Sequence, residues 1–309
     1  MRGSLGLELA ARITSGTLIG AKNGSTAIQF TPGRIGVPGE YHADSVTAGS
    51  VALLLQISLP LLLYSQTPRA GVDEATLERQ QAAEKSVLTL LGGTNATGAP
   101  QIDYLQHVFL PFFSKHFGLT EDAVKIEVRK RGYFPKGGGE VVTTVKPLAQ
   151  GDKLKSLKLV ERGKVKRICG IAHYSRLPTA IGQDMIAGAM KVLVKAGYGR
   201  ASQEGTLEEV KVEIVDCREP NNVAVAAGSG IVLWAELECG GIIGGSAVGK
   251  KGIAAKDVGA EAAEMLVKGL ENGGCVDEWL QDQIIIFMTL ADGVSEVNCG
   301  KAELELHTR

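Results

Sequence analysis

The chain has almost no net charge. Its 33 Lys and Arg against 34 Asp and Glu leave a formal −1 over 309 residues, which excludes nucleic-acid binding by bulk electrostatics and leaves that role to a local basic patch. It also lacks any CxxC, CxxH or HxxxH spacing: Cys169, Cys217, Cys239, Cys275 and Cys299 are odd in number and far apart, and His42, His107, His116, His173 and His307 stand singly. That usage fits a reducing compartment and disfavours a zinc site. Long hydrophobic runs are missing too. The strongest, Val51 to Tyr64, contains Gln56 and Pro60 and falls short of the roughly 18 residues needed to span a bilayer, so it predicts a buried core helix and no membrane partner. The opening Met1-Arg2-Gly3-Ser4-Leu5-Gly6-Leu7 has neither the apolar stretch of a signal peptide nor a transit-peptide pattern, and predicts no secretion. Finally, Gly240-Gly241-Ile242-Ile243-Gly244-Gly245 is no P-loop, because no Gly-Lys-Ser/Thr follows at the required spacing; it reads as a turn.

With 44% hydrophobic and 22% charged residues the chain is an ordinary globular sequence, long enough for one large or two moderate domains. Helical periodicity over Leu5 to Ile13 precedes a strand around Ala27 to Phe30, and a helix follows over Ser45 to Tyr64. A strand at Leu88 to Leu91 and a helix from about Asp103 to Phe117 come next. Between Met185 and Leu270 the pattern reads helix, strand (Val210 to Val215), strand (Ile231 to Glu238) and helix. Helices from about Ala260 to Asn272 and Val276 to Ala291 and a strand around Ala302 to Leu306 close the chain. This is an α+β alternation with antiparallel hairpins. The charged stretch Gln66 to Ser86 reads as a solvated insertion, either an exposed helix or a mobile segment.

The most informative segment is Arg131-Gly132-Tyr133-Phe134-Pro135-Lys136-Gly137-Gly138-Gly139-Glu140. Upstream Val124, Ile126 and Val128 alternate with charged residues, and downstream Val141, Val142 and Val145 resume the apolar pattern, so the glycines join two strands. They can adopt positive φ and admit another backbone or a flat ligand, beside the rigid apolar face of Pro135. Taken alone, this is a tight turn. The cations Lys125, Arg129, Lys130, Arg131 and Lys136 around it, and a second set at Arg162, Lys164, Lys166 and Arg167, form either solvated strand faces or contacts for RNA phosphates.

This decapeptide resembles the signature of the RNA 3'-terminal phosphate cyclase family. The likeness extends through Gly92-Gly93-Thr94-Asn95, Ala99-Pro100-Gln101-Ile102-Asp103-Tyr104, Glu161-Arg162-Gly163 and Glu278-Trp279-Leu280-Gln281-Asp282-Gln283 to Leu306-His307-Thr308. It implies repeated units of two helices packed on a four-stranded sheet, with a large domain over 1–184 and 271–309 and a small α/β domain inserted at 185–270. It also implies an enzyme that uses ATP and Mg²⁺ on RNA 3'-phosphate ends, with no DNA partner, in the nucleoplasm as in eukaryotic members, the cytoplasm being the alternative. His307 matches the position of the family's nucleophilic histidine. A neutral imidazole can attack the α-phosphate of ATP and pass AMP onward from a reactive phosphoramidate. Gln56, Pro135, Trp279, Asp282 and Gln283 match nucleotide contacts, with adenine sandwiched between Pro135 and Trp279.

For Gln56 simple solvent exposure is the alternative, and for Trp279 it is core packing at helical spacing with Gln283 and Phe287. The likeness begins near Gly6-Leu7-Glu8. The family's Glu-Gly-Gly-Gly-Gln segment with its arginines, and the segment beyond the histidine, have no counterpart, so the chain is expected to be truncated at both ends and its metal ligands are unassigned. The other readings are a non-catalytic scaffold in ribosome assembly, against which His307 argues, an inactive truncated cyclase, and a nucleotide-binding protein with no RNA role.

Overall fold

The computed structural model describes residues 4–22, 24–35, 38–64, 85–149, 151–199 and 210–301. Two four-stranded sheets organise them. In the first, β3 (Glu40–Asp44), β4 (Ser86–Gly92), β6 (Gly139–Val145) and β5 (Val124–Lys130) lie side by side in that order. The β3/β4 pair is parallel and the other two pairs are antiparallel. A parallel pair needs a crossover, and its helix is α2 (Val51–Leu63). Ser50 caps α2, its hydroxyl accepting from Leu53 N at 3.4 Å, so the helix starts later than the apolar pattern alone predicts. A short hairpin, β1 (Thr17–Ile19) with β2 (Gln29–Thr31), follows α1 (Leu5–Ile13), which packs on α2. Along β5 the expected alternation holds: Val124, Ile126 and Val128 pack on the core while Lys125 and Glu127 stay outward. The helical stretch α3 (102–117) is α-helical at Ile102–Tyr104, π-helical at Leu105–Phe109 and α-helical again at Leu110–Phe117.

The second sheet has the order β11 (Ile242–Val248), β10 (Gly228–Leu237), β8 (Val165–Ser175), β9 (Lys211–Arg218). Here β8 and β9 are parallel, joined by α4 (Ala180–Lys195), and β10 with β11 is an antiparallel hairpin followed by α5 (Ala255–Glu271). Both sheets therefore contain a β-helix-β crossover and a hairpin. The hairpin attaches to the second crossover strand in the first sheet (β4 to β6) and to the first in the second sheet (β8 to β10). The 184/185 division drawn from the sequence runs through α4.

One expectation is overturned. Gly240 and Gly241 make a turn, but Ile242 to Gly245 are the first residues of β11. Glycine there serves packing: a Cβ at Gly244 would press on the Tyr104 ring, and one at Gly245 on the backbone of Ala262 and Leu266. The expected strand at Ala302 to Leu306 and nearly all of the 66–86 insertion lie outside the described residues.

Alternation along β10 gives the second sheet two apolar faces. Ile231, Leu233, Ala235 and Leu237 are covered by α4 and α5, whereas Val232 and Trp234 turn to the core of the first sheet. There the Trp234 indole stacks on the His107 ring of the π-helical turn, centroids 4.8 Å apart and planes 7° from parallel. A last helix, α6 (Glu278–Leu290), is capped by Asp277, and a two-stranded parallel ribbon joins β7 (Lys158–Leu159) to β12 (Glu296–Val297). Among the described residues no helix is long and apolar enough to cross a membrane.

The α4–α5 contact is set by two glycines. A Cβ on Gly188 would overlap the Lys256 carbonyl oxygen, and one on Gly259 the Met185 carbonyl oxygen. In an exposed helix Gly→Ala stabilises by about 1 kcal/mol. Here the backbones must separate, so Gly259→Ala is expected to destabilise by about 1–3 kcal/mol, measured as a lower urea midpoint at an unchanged slope.

Candidate functional site

The glycine turn is built by close backbone approach. Gly137 and Gly138 have φ of +67° and +77°, which L side chains rarely adopt. Gly132 and Gly139 lie so near the Gly92 carbonyl that a Cβ on either would clash with it. Thr94 fastens this crossing, its N–H donating to Gly132 O at 2.9 Å and its hydroxyl accepting from Gly132 N at 2.9 Å. The loop then closes on itself through Gly137 N donating to Tyr133 O at 2.9 Å. Phe134, Pro135 and Lys136 are left at the exposed tip. Gly137 rests on Thr47 and Ala48, the residues leading into α2.

Behind the turn lies a buried polar cluster that joins the two sheets. Arg131, 5% exposed, forms a bidentate pair with Asp103, 1% exposed, through Nη1 to Oδ2 at 2.6 Å and Nη2 to Oδ1 at 2.8 Å. Its Nε donates to Glu219 at 2.9 Å, and its backbone N–H to Val223 O at 2.6 Å, both beyond β9 in the second sheet. Asn95 Nδ2 donates to Asp103 Oδ2 at 3.1 Å and Gln101 Oε1 at 2.9 Å. Gln101 Nε2 reaches Ile231 O at 3.2 Å and Ala247 O at 3.1 Å, facing residues of β10 and β11. His173, fully buried on β8, sits between Tyr133 OH, 3.1 Å from Nδ1, and Gln101 Oε1, 3.1 Å from Nε2. This assigns a neutral imidazole whose Nε2–H donates to Gln101 and whose Nδ1 accepts from Tyr133.

The electrostatics agree. Burial is the main influence on His173 and lowers it to about 4, beyond what neighbouring Asp103 restores. Burial also opposes ionisation of Asp103, but His173, the Arg131 charge and the hydrogen bonds from Arg131 and Asn95 outweigh it and hold the carboxyl well below its usual range. Burial raises the Tyr133 phenol, which stays a donor.

Two of the sequence-predicted residues meet where α2 and α6 pack, and two more lie on α6 beside them in sequence. Gln56, half-buried rather than free in solvent, donates from Nε2 to Asp282 Oδ2 at 3.2 Å. Gln283 is 2% exposed, and neither its amide nitrogen nor its oxygen has a hydrogen-bond partner. Trp279, one turn earlier on α6, is half-buried and packs against the main core, as Phe287 does. The helix start that aims these side chains is fixed by Asp277, which accepts from Leu280 N at 3.0 Å, Tyr104 OH at 2.7 Å and Gly244 N at 2.6 Å. Pro135 belongs to the exposed turn, connected to the same helix α2 through Thr47 and Ala48. His307 lies outside the described residues.

Of the nine cations in the two basic clusters, Arg129, Lys130, Arg131 and Arg167 have ion-pair partners, whereas Lys125, Lys136, Arg162, Lys164 and Lys166 have none among the described residues. Arg129 pairs with Glu127 at 3.3 Å and Lys130 with Glu140 at 3.0 Å. Arg131 is buried. Arg162 donates to Leu270 O at 2.9 Å at the end of α5, and Arg167 pairs with Glu236 at 2.6 Å. Lys136 has no ion-pair partner among the described residues. The residues that sequence reasoning left without a role are Glu219, His173, Asn95, Gln101 and Asp103. The last three fall in stretches that carry the family likeness, which was the available signal.

Comparison with known proteins gives a consistent result. A family model described as RNA 3'-terminal phosphate cyclase matches residues 4–309. The chain is similar to the RNA 3'-terminal phosphate cyclases of Pyrobaculum neutrophilum (33% identical, covering 98% of this chain and 76% of the relative) and Methanosarcina barkeri (36%, 98% and 76%). It is likewise similar to that of Drosophila melanogaster (33%, 98% and 74%).

The state of His173 sets a pH dependence. Its folded-state value lies below the ordinary 6.5, so its contribution to stability is full above about 6.5 and is lost as the pH falls through about 4. At about 1.4 kcal/mol per pH unit this loss is on the order of 3 kcal/mol. Unfolding midpoints measured from pH 7 to 4 are expected to fall, and less steeply in His173→Gln. An imidazole NMR titration near 6.5 for His173 would contradict the assignment.

Proposed function

The chain belongs to the RNA 3'-terminal phosphate cyclase family, and on that premise we propose that it converts RNA 3'-phosphate ends to 2',3'-cyclic phosphates at the expense of ATP. The observation that carries this reading at the level of residues is Gln283: an amide 2% exposed with no partner, beside the Gln56–Asp282 pair. Burying an unpaired amide costs about 1–3 kcal/mol. That cost is explained if a ligand with hydrogen-bonding edges, such as adenine or ribose, completes it.

In this reading ATP is the first substrate. Gln56, Asp282 and Gln283 bind its base and ribose edges, and Pro135 and Trp279 supply flat faces for the adenine. His307 attacks the α-phosphate, forming an N–P bond as pyrophosphate leaves, and AMP then passes to the oxygen of the RNA 3'-phosphate. The neighbouring 2'-hydroxyl closes the ring and releases AMP. Nucleophile and phosphate are then on one ribose, so ring closure needs positioning more than further chemistry. Among the described residues no three His, Cys, Asp or Glu side chains gather to hold a metal ion. Mg²⁺ bound with the ATP phosphates would neutralise part of their charge.

Incubation with Mg²⁺ and ATP labelled at the α-phosphate is expected to leave acid-labile, alkali-stable label on the denatured protein and none on His307→Ala. A folded wild-type sample that stays unlabelled would refute adenylyl transfer.

Gln283 makes a second prediction with opposite signs in two assays. Gln283→Leu removes an unpaired buried amide, so the ligand-free protein should be at least as stable as wild type in urea. Its ATP affinity should fall about tenfold. A loss of stability without a loss of affinity would assign Gln283 to packing.

A further inference from the structure

Phe134 is the one exposed Phe, Tyr or Trp of the chain. Every other Phe, Tyr and Trp is buried or half-buried, whereas Phe134 is 53% exposed. It shares the tip of the glycine turn with Pro135 and Lys136, both also exposed. We propose that this tip is a contact for single-stranded RNA, with Phe134 stacking on a base at the 3' end and the Lys136 ammonium meeting the adjoining phosphate. The proposal rests on the cyclase reading and adds the residues that receive the RNA.

Three observations support it. The tip is held in place before any ligand arrives: its base is closed by the Gly137 N to Tyr133 O bond, and the Tyr133 ring lies against Gly228 with its hydroxyl on His173. Arg131, just before it, is locked to Asp103 and Glu219. A platform fixed in this way loses little conformational freedom on binding. The charge also fits. Arg129, Lys130 and Arg131 are matched by acidic partners, whereas Lys136 at the tip, like Lys125 farther back on β5, has no ion pair among the described residues. An aromatic face beside an unmatched cation is the chemistry that binds single strands without reading sequence, because every base has a stacking face.

The third observation is the surface beside the tip. Val225, 56% exposed, borders the same turn at Gly138 and widens its apolar floor.

The test is binding of a fluorescein-labelled single-stranded RNA with a 3'-phosphate, by anisotropy, to wild type, Phe134→Ser, Phe134→Trp and Lys136→Ala. Self-adenylylation with labelled ATP is measured in parallel without RNA. Phe134→Ser should weaken RNA binding by about tenfold or more, and Phe134→Trp should restore it. Lys136→Ala should weaken binding and lower the slope of log affinity against log salt by about 0.7. Self-labelling should not change in the Phe134 variants. Unaltered RNA affinity in Phe134→Ser overturns the proposal. So does a parallel loss of self-labelling, which would make Phe134 a nucleotide contact. If wild type never self-labels while its RNA binding still depends on Phe134, the RNA contact stands and the adenylyl-transfer reading fails.

Discussion

The bidentate pair between Arg131 and Asp103 is the constraint on which the remaining architecture rests. Two charges taken out of water cost several kcal/mol each, and mutual attraction recovers that only when geometry is good and the remaining hydrogen-bonding capacity is used. Here it is used: Asn95 takes up an Asp103 oxygen, and Glu219 and the Val223 carbonyl accept from Arg131. The partners come from the loop after β4, the start of α3, the end of β5 and the chain after β9. Removing any one leaves a buried charge or dipole unpaired, so the pair fixes how the sheets register on one another more than it adds net stability.

A structural role and the proposed binding role overlap along the same short segment. Arg131 and Tyr133 point inward and hold the sheets together, whereas Phe134, Pro135 and Lys136 point outward from a turn that cannot relax independently. The glycines allow this because they let three backbones cross without side chains between them. Farther along α2, Gln56 meets Asp282, and Gln283, the next residue of α6, stays unpaired. One helix thus supports both groups, its lead-in carrying the turn and its body carrying the polar pair.

Much of this was legible in the sequence where the physics is local. Alternation of Val124, Ile126 and Val128 identified β5, the apolar run after Ser50 identified α2, and three glycines before a valine pattern located the turn. What escaped notice depends on tertiary context. Strand β3, Glu-Tyr-His-Ala-Asp, is mostly polar and exposed and gives no apolar period. Strand β8 opens Val165-Lys166-Arg167, and its two cations read as part of a charged patch. Gly240 to Gly245 read as a turn because glycine suppresses a strand signal, while the fold needs small residues there against Tyr104 and α5. His173 carries no local mark at all; its role follows from Tyr133, Gln101 and Asp103 arriving from distant points in the chain. The meeting of Gln56 with Asp282, 226 residues away, was legible only through likeness to a family.

The backbone hydrogen bond from Arg131 to Val223, at the point where β5 leaves the first sheet, stitches one sheet to the loops of the other. With Gln101 anchored on β10 and β11, the seam between the sheets is crossed by main-chain groups as well as side chains. Opening it would expose several desolvated donors and acceptors together, which sets a cost against parting the two sheets. For the proposed reaction this means that shielding the transferring phosphate from water would fall to the surface turns and the bound substrates rather than to the sheets closing on one another.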